Sequence, residues 1–189
     1  MNTHVVHFFG DINNAAAGNL CSVVIGALNQ GAEKIKIQMT STGGNIVAGF
    51  GIYNYPRSLP VPFSMHNFGN VDSIAVIVFL AADERYVVPH GRFLLHPSTW
   101  TYAPNSTCVD QPRLQEHSEN LAFDVRRYAA IFKERTASAK VPVDIEKHLQ
   151  NEALFIDAAA ALDTGIATEI LSPEGTTPKG YTHWWVSSN

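Results

Sequence analysis

Ser73, His96 and the Gly43-Gly44 pair are the residues of this chain whose types and order could carry out acyl transfer. A serine hydroxyl becomes a strong nucleophile only when a base takes its proton, and the oxyanion that forms needs N–H donors. Gly69-Asn70-Val71-Asp72-Ser73-Ile74 opens an apolar run. This places Ser73 at a helix start, where free N–H groups and the helix dipole favour developing negative charge. Phe93-Leu94-Leu95-His96-Pro97 closes another apolar run, so His96 falls at a strand end, 23 residues after Ser73. Thr40-Ser41-Thr42-Gly43-Gly44-Asn45 follows the run Ile35 to Met39 and reads as a glycine turn between strand and helix. Each piece alone has a plainer reading. Ser73 would be a helix cap, His96 a structural group and Gly43-Gly44 a tight turn. The turn is not a phosphate loop, because the glycine spacing and the lysine of that motif are missing.

Taken together, the segments resemble the ClpP family of serine peptidases. The family has Ser-Pro-Gly-Gly, a helix with Ala-Gly and Ile-Tyr, then Gly-x-x-x-Ser, then a strand ending in His. Here Ser41-Thr42-Gly43-Gly44, Ala48-Gly49, Ile52-Tyr53, Gly69 to Ser73 and His96 take those places, with Thr42 where the family has Pro. Gly44 to Ser73 fits without a gap, and the resemblance runs from about Val5 to Ile170. It implies Ser73 as nucleophile, His96 as general base, and the backbone N–H groups of Gly44 and Ile74 as oxyanion hole. It also implies no metal and no cofactor. The family's Asp lies two residues before the Phe that matches Phe155, and here that place holds Ala153. Losing the Asp role in another serine protease costs on the order of 10⁴ in turnover. Asn151 and Glu152 are neighbouring candidates, reachable only by a register change, since a one-residue shift turns a side chain to the other face. Asp72 is a second departure, because the family has a small apolar residue there.

The elements that must position these residues alternate. Strands are predicted over His4–Phe9, Lys34–Thr40, Phe63–Asn67, Arg85–Val88 and Arg92–Leu95. Helices are predicted over Ala15–Asn29, from Asn45 to the prolines Pro56, Pro60 and Pro62, and over Asp72–Ala82. This order implies parallel strands with right-handed crossovers. Ser98–Gln111 reads as a polar loop, and Pro112–Ser138 as one long helix with Pro in its first turn. The expected fold class is α/β, with ClpP/crotonase-like repeated β-β-α units and a long protruding handle helix. The expected organisation is one peptidase domain over 1–172 and a tail over 173–189. Tyr181, Trp184 and Trp185 suggest that the tail docks on its own core or on a neighbouring subunit.

The chain has 189 residues, enough for one full core, and a formal net charge of −4, which favours neither nucleic acid nor an anionic membrane. Two cysteines, Cys21 and Cys108, are too few for a disulfide framework and fit a reducing, cytoplasmic setting. The N-terminus shows neither the charged flank nor the apolar stretch of a signal peptide or transmembrane span. The resemblance implies peptides or unfolded proteins as substrates and a homo-oligomeric ring. A Clp-type ATPase partner stays open, because the chain begins only a few residues before its first strand. Two other readings stand beside the endopeptidase: a catalytically silent ring subunit, and an acyl-CoA enzyme of the crotonase fold.

Overall fold

The computed structural model describes residues 2–99, 108–174 and 181–187. Its first half is a run of strand–helix units. β1 (Thr3–Phe9), β2 (Lys34–Ser41) and β3 (Phe63–Asp72) lie side by side and parallel. Their connections are α1 (Asn14–Asn29) and α2 (Ile46–Arg57). β1 is rich in β-branched and aromatic residues, and across the three strands residues such as Val6, Phe8, Ile35, Ile37 and Met65 are buried. Asn13 and Asn45 cap the two helices, accepting hydrogen bonds from the Ala16 and Ala48 N–H groups.

β3 then changes neighbours. Ser64 to Asn67 pair with β4 (Glu84–Val87), and Asn70 to Asp72 pair with β5 (Arg92–Leu95). Asn67 holds the fork: its Nδ2 donates to the Arg92 carbonyl and its Oδ1 accepts from the Gly69 N–H. Between the strands runs α3 (Ile74–Phe79), whose six residues are all buried. The predicted helix over Asp72–Ala82 is therefore shorter. The sheet claims Asp72, which pairs with Leu94, and Ser73, whose N–H donates to the Leu94 carbonyl at 2.8 Å. Pro56 does not end α2 but sits in its last turn, where only one helical bond is at stake.

α4 (Gln111–Arg135) is the predicted long helix, capped by Asp110. Its C-terminal half packs through Val125, Tyr128, Ala129 and Phe132, whereas Leu114 and Phe123 are exposed. α5 (Ile145–Gln150) follows, and β6 (Leu154–Asp157) returns antiparallel to β5, unlike the parallel pairings of the first half. α6 (Ala158–Asp163) and β7 (Glu169–Ile170) lead to β8 (Thr182–Val186), which pairs with β1. The tail thus contributes a parallel edge strand, and Trp184 Nε1 donates to His4 Nδ1. Most of the loop predicted over 98–111 lies outside the described residues.

Two arginines lock the far end of α3. Arg135 donates to the carbonyls of Leu80 and Ala82, and buried Arg85 donates to those of Ala82, Gly165 and Ile166. They satisfy carbonyls that the helix end leaves unpaired.

His66 in β3 is wholly buried, with Nε2 3.1 Å from the Leu171 carbonyl and Nδ1 unpartnered. Burial, with Lys36 second, lowers its pKa to about 4. The folded protein therefore holds His66 neutral, and stability is lost as pH falls from the unfolded value of 6.5 toward 4. Denaturant titrations at pH 7 and pH 4 should show His66 contributing about 3 kcal/mol of that loss. A His66→Gln variant should have a visibly shallower pH dependence.

Candidate functional site

The candidate nucleophile sits on a strained turn. Ser73 has φ 58° and ψ −132°, the only non-glycine residue with positive φ among the described residues. Such backbone persists only when its surroundings over-determine it, and it is common at functional sites. Hydrogen bonds fix both ends of the residue. The Ser73 N–H donates to Leu94, and the Ser73 carbonyl accepts from the Tyr128 hydroxyl at 3.0 Å and from the Val76 N–H at 3.0 Å. Tyr128 is buried, and burial pushes its pKa up, so it remains a neutral donor.

The helix-cap reading of Ser73 does not hold. α1, α2, α4, α5 and α6 each start with an Asn or Asp whose side chain accepts a hydrogen bond from the first turn. α3 starts at Ser73, whose side chain makes no such bond. Ser73 instead lines a cavity of about 600 Å³, together with Gly44, Ile74 and His96. All four residues singled out in the sequence therefore line one space.

The glycines have separate tasks. A Cβ on Gly43 would lie 2.7 Å from Ser73 Cβ and 2.9 Å from the Asp72 carbonyl oxygen, so this glycine makes room for the Ser73 turn. A Cβ on Gly44 would lie 2.3 Å from the Ile12 carbonyl oxygen. The closest constraint on Gly44 is therefore the Ile12 backbone. Ile12 donates to the Gly43 carbonyl and accepts from the Asn45 N–H, clamping the turn. Neither the Gly44 nor the Ile74 N–H donates to a backbone carbonyl among the described residues. Gly49 lets α2 approach α3, since its Cβ would lie 2.2 Å from Ile74 Cγ1.

His96 has its Nδ1 2.8 Å from the carbonyl oxygen of Pro97. A carbonyl only accepts, so Nδ1 carries the proton and Nε2 of the neutral ring is left as a base. No hydrogen bond joins Ser73 to His96 among the described residues. Catalytic bonds are often loose before substrate binds. Continuing the β5–β6 register from Leu95↔Leu154 sets Ala153 opposite His96. Glu152 is committed to Lys147 at 2.7 Å, and the Asn151 N–H closes α5 on the Lys147 carbonyl. Neither reaches His96; the backbone carbonyl of Pro97 takes the far side of the ring.

Asp72 is the buried charge beside this turn. Its Oδ2 meets Arg92 Nη2 at 3.0 Å, and its buried Oδ1 has no hydrogen-bond partner among the described residues. Arg92 in turn lies over the Phe155 ring. Burial raises the Asp72 pKa, while Arg92 and then His96 pull it back. The sequence marked Asp72 only as a departure; its ion pair depends on β3 and β5 being adjacent. Asp124 and Tyr128 also line the cavity and carried no signal in the sequence beyond helical spacing.

The Clp protease family matches residues 1–174. The chain belongs to the Clp protease family. Proteolytic subunit 3 of the ATP-dependent Clp protease from Rhizobium johnstonii is 25% identical over 173 residues, covering 89% of this chain and 84% of that protein. The subunit 3 from Rhizobium etli is 30% identical over 111 residues, so the match spans little more than half of either chain, 57% of each. A ClpP1 variant from Listeria monocytogenes has the same fold, with a TM-score of 0.77, 19% identity, and coverage of 90% of this chain and 92% of that one.

Because burial raises the Asp72 pKa, its charge destabilises the fold once pH exceeds the unfolded value of 3.8. Asp72→Asn should gain in melting temperature relative to the parent as pH rises from about 3 to 6, with the largest advantage above the folded pKa. A difference that does not change with pH would contradict this.

Proposed function

We propose that the chain is a serine endopeptidase acting on peptides or unfolded proteins, with Ser73 as nucleophile and His96 as base. The observation that carries the reading is the uncapped, strained Ser73, lining the same cavity as a histidine whose Nδ1 proton is fixed. In this reading Ser73 Oγ attacks the substrate carbonyl carbon as its proton passes to His96 Nε2. The oxyanion accepts from the Gly44 and Ile74 N–H groups. The C–N bond then breaks, and the amine leaves with the proton from His96. Water, deprotonated by the same ring, attacks the acyl ester, and the acid product leaves while Ser73 regains its proton. Pro97 orients the ring but brings no full charge to stabilise imidazolium, so turnover should be slow for a serine peptidase. Ala153 favours a second reading, a catalytically silent ring subunit.

A fluorophosphonate probe separates the two. Labelling of the parent, lost in Ser73→Ala and reduced at least about 100-fold in His96→Ala, is the expected outcome. Absence of labelling in the parent would leave the silent-subunit reading.

We further propose that the working form is a closed homo-oligomeric ring. Exposed Leu114 and Phe123 on α4 support this, because covering them would stabilise an assembly at roughly 25 cal/mol per Å². Light scattering at micromolar concentration should give a mass several times the 20.7 kDa of one chain. A monomer mass would refute the ring.

A further inference from the structure

The cavity wall carries information about substrate. Among the described residues its lining holds one carboxylate, Asp124, and neither lysine nor arginine. Leu121, Asp124 and Tyr128 stand at i, i+3 and i+7 on α4, so one helix face presents all three to the cavity. Tyr128 ties this helix face to Ser73, because its hydroxyl bonds the Ser73 carbonyl directly. Asp124 lies one helical turn from Tyr128, about 6 Å along the axis. A side chain next to the bond attacked by Ser73 would enter the cavity that Asp124 also lines.

The Asp124 carboxylate has capacity to spare. It is half-buried, and its partner is Arg127, at 3.4 Å. Arg127 does not line the cavity; its guanidinium sits 3.9 Å from the centre of the Phe50 ring. A carboxylate has acceptor sites for several donors, and one long bond leaves most of them open. Leu121, Leu149 and Ile74 add apolar wall on the same cavity. An apolar sleeve with one acid suits a long side chain with a methylene stem and a cationic tip.

We propose that Asp124 makes this site select a lysine or arginine at the residue whose carbonyl Ser73 attacks. The inference rests on the peptidase reading for the meaning of that position, and its test is separable from it. The Ser73→Ala protein, unable to acylate, is titrated with fluorescein-labelled hexapeptides that differ at one residue: Lys, norleucine or Glu. Anisotropy at low salt should show the Lys peptide binding about ten-fold tighter than the norleucine peptide, a preference weakened by added salt. Asp124→Asn in the same background should remove the preference, and Asp124→Lys should turn it toward Glu. The reversal is a gain that a misfolded variant cannot produce. Equal binding of Lys and norleucine peptides, or a Lys preference that survives Asp124→Asn, overturns the proposal. If the parent fails to take up the fluorophosphonate while the charge preference holds, the catalytic reading falls and the pocket assignment stands. If labelling succeeds and the preference is absent, only this inference falls.

Discussion

The backbone of Ser73 is the constraint on which the site depends. An L-residue at φ 58°, ψ −132° costs on the order of 1–3 kcal/mol, and the fold meets that cost from three directions. β5 accepts the Ser73 N–H through Leu94. α4 reaches across to the Ser73 carbonyl through Tyr128. The β2–α2 turn leaves out a side chain at Gly43, where a Cβ would strike Ser73 itself. Three elements distant in sequence are thereby committed to one residue. At this backbone geometry the Ser73 side chain makes no cap hydrogen bond to the helix it precedes.

The fork in β3 turns this local strain into a site. By leaving β4 and joining β5 after Asn67, the strand delivers Asp72 and Ser73 next to Leu94, two residues before His96. The candidate nucleophile and base then need no long loop to line one cavity. Behind them, Gly49 admits Ile74 against α2, while Arg85 and Arg135 secure the carbonyls at the far end of α3. The two candidate oxyanion donors, at Gly44 and Ile74, thus come from turns braced from behind. The remaining weakness is electrostatic. His96 is oriented by a neutral carbonyl, and the register brings Ala153 where a carboxylate would serve.

Much of this was legible in the sequence because it is local. Asn45 followed by an apolar helix, the alternation of Lys34–Thr40 and the run ending at His96 each specify an element through period and capping. The glycine pair and Ser73 could be placed because turns are written in a few residues. What was not legible is long-range. The sequence extends a helix back to Asp72, since apolar runs do not reveal that Leu94 will claim the Ser73 N–H. The reason for Gly44 is equally hidden, since the nearness of Ile12 appears only once the turn is folded against it. Tyr128 and Asp124 look like ordinary helix residues until α4 is laid beside Ser73. The tail aromatics signal docking, but only the fold shows a parallel edge strand on β1.

The central claim is that Ser73 and His96 act on one bound substrate, the serine at its carbonyl carbon and the histidine at the group beside it. A peptidyl chloromethyl ketone reads this directly, because its carbonyl carbon takes the serine oxygen while its methylene alkylates the base. Peptide mapping by mass spectrometry after incubation of the parent should find a single inhibitor attached to His96, with modification strongly reduced in Ser73→Ala. Reaction at other histidines with His96 untouched, or equal modification of His96 with and without the Ser73 hydroxyl, would contradict the account.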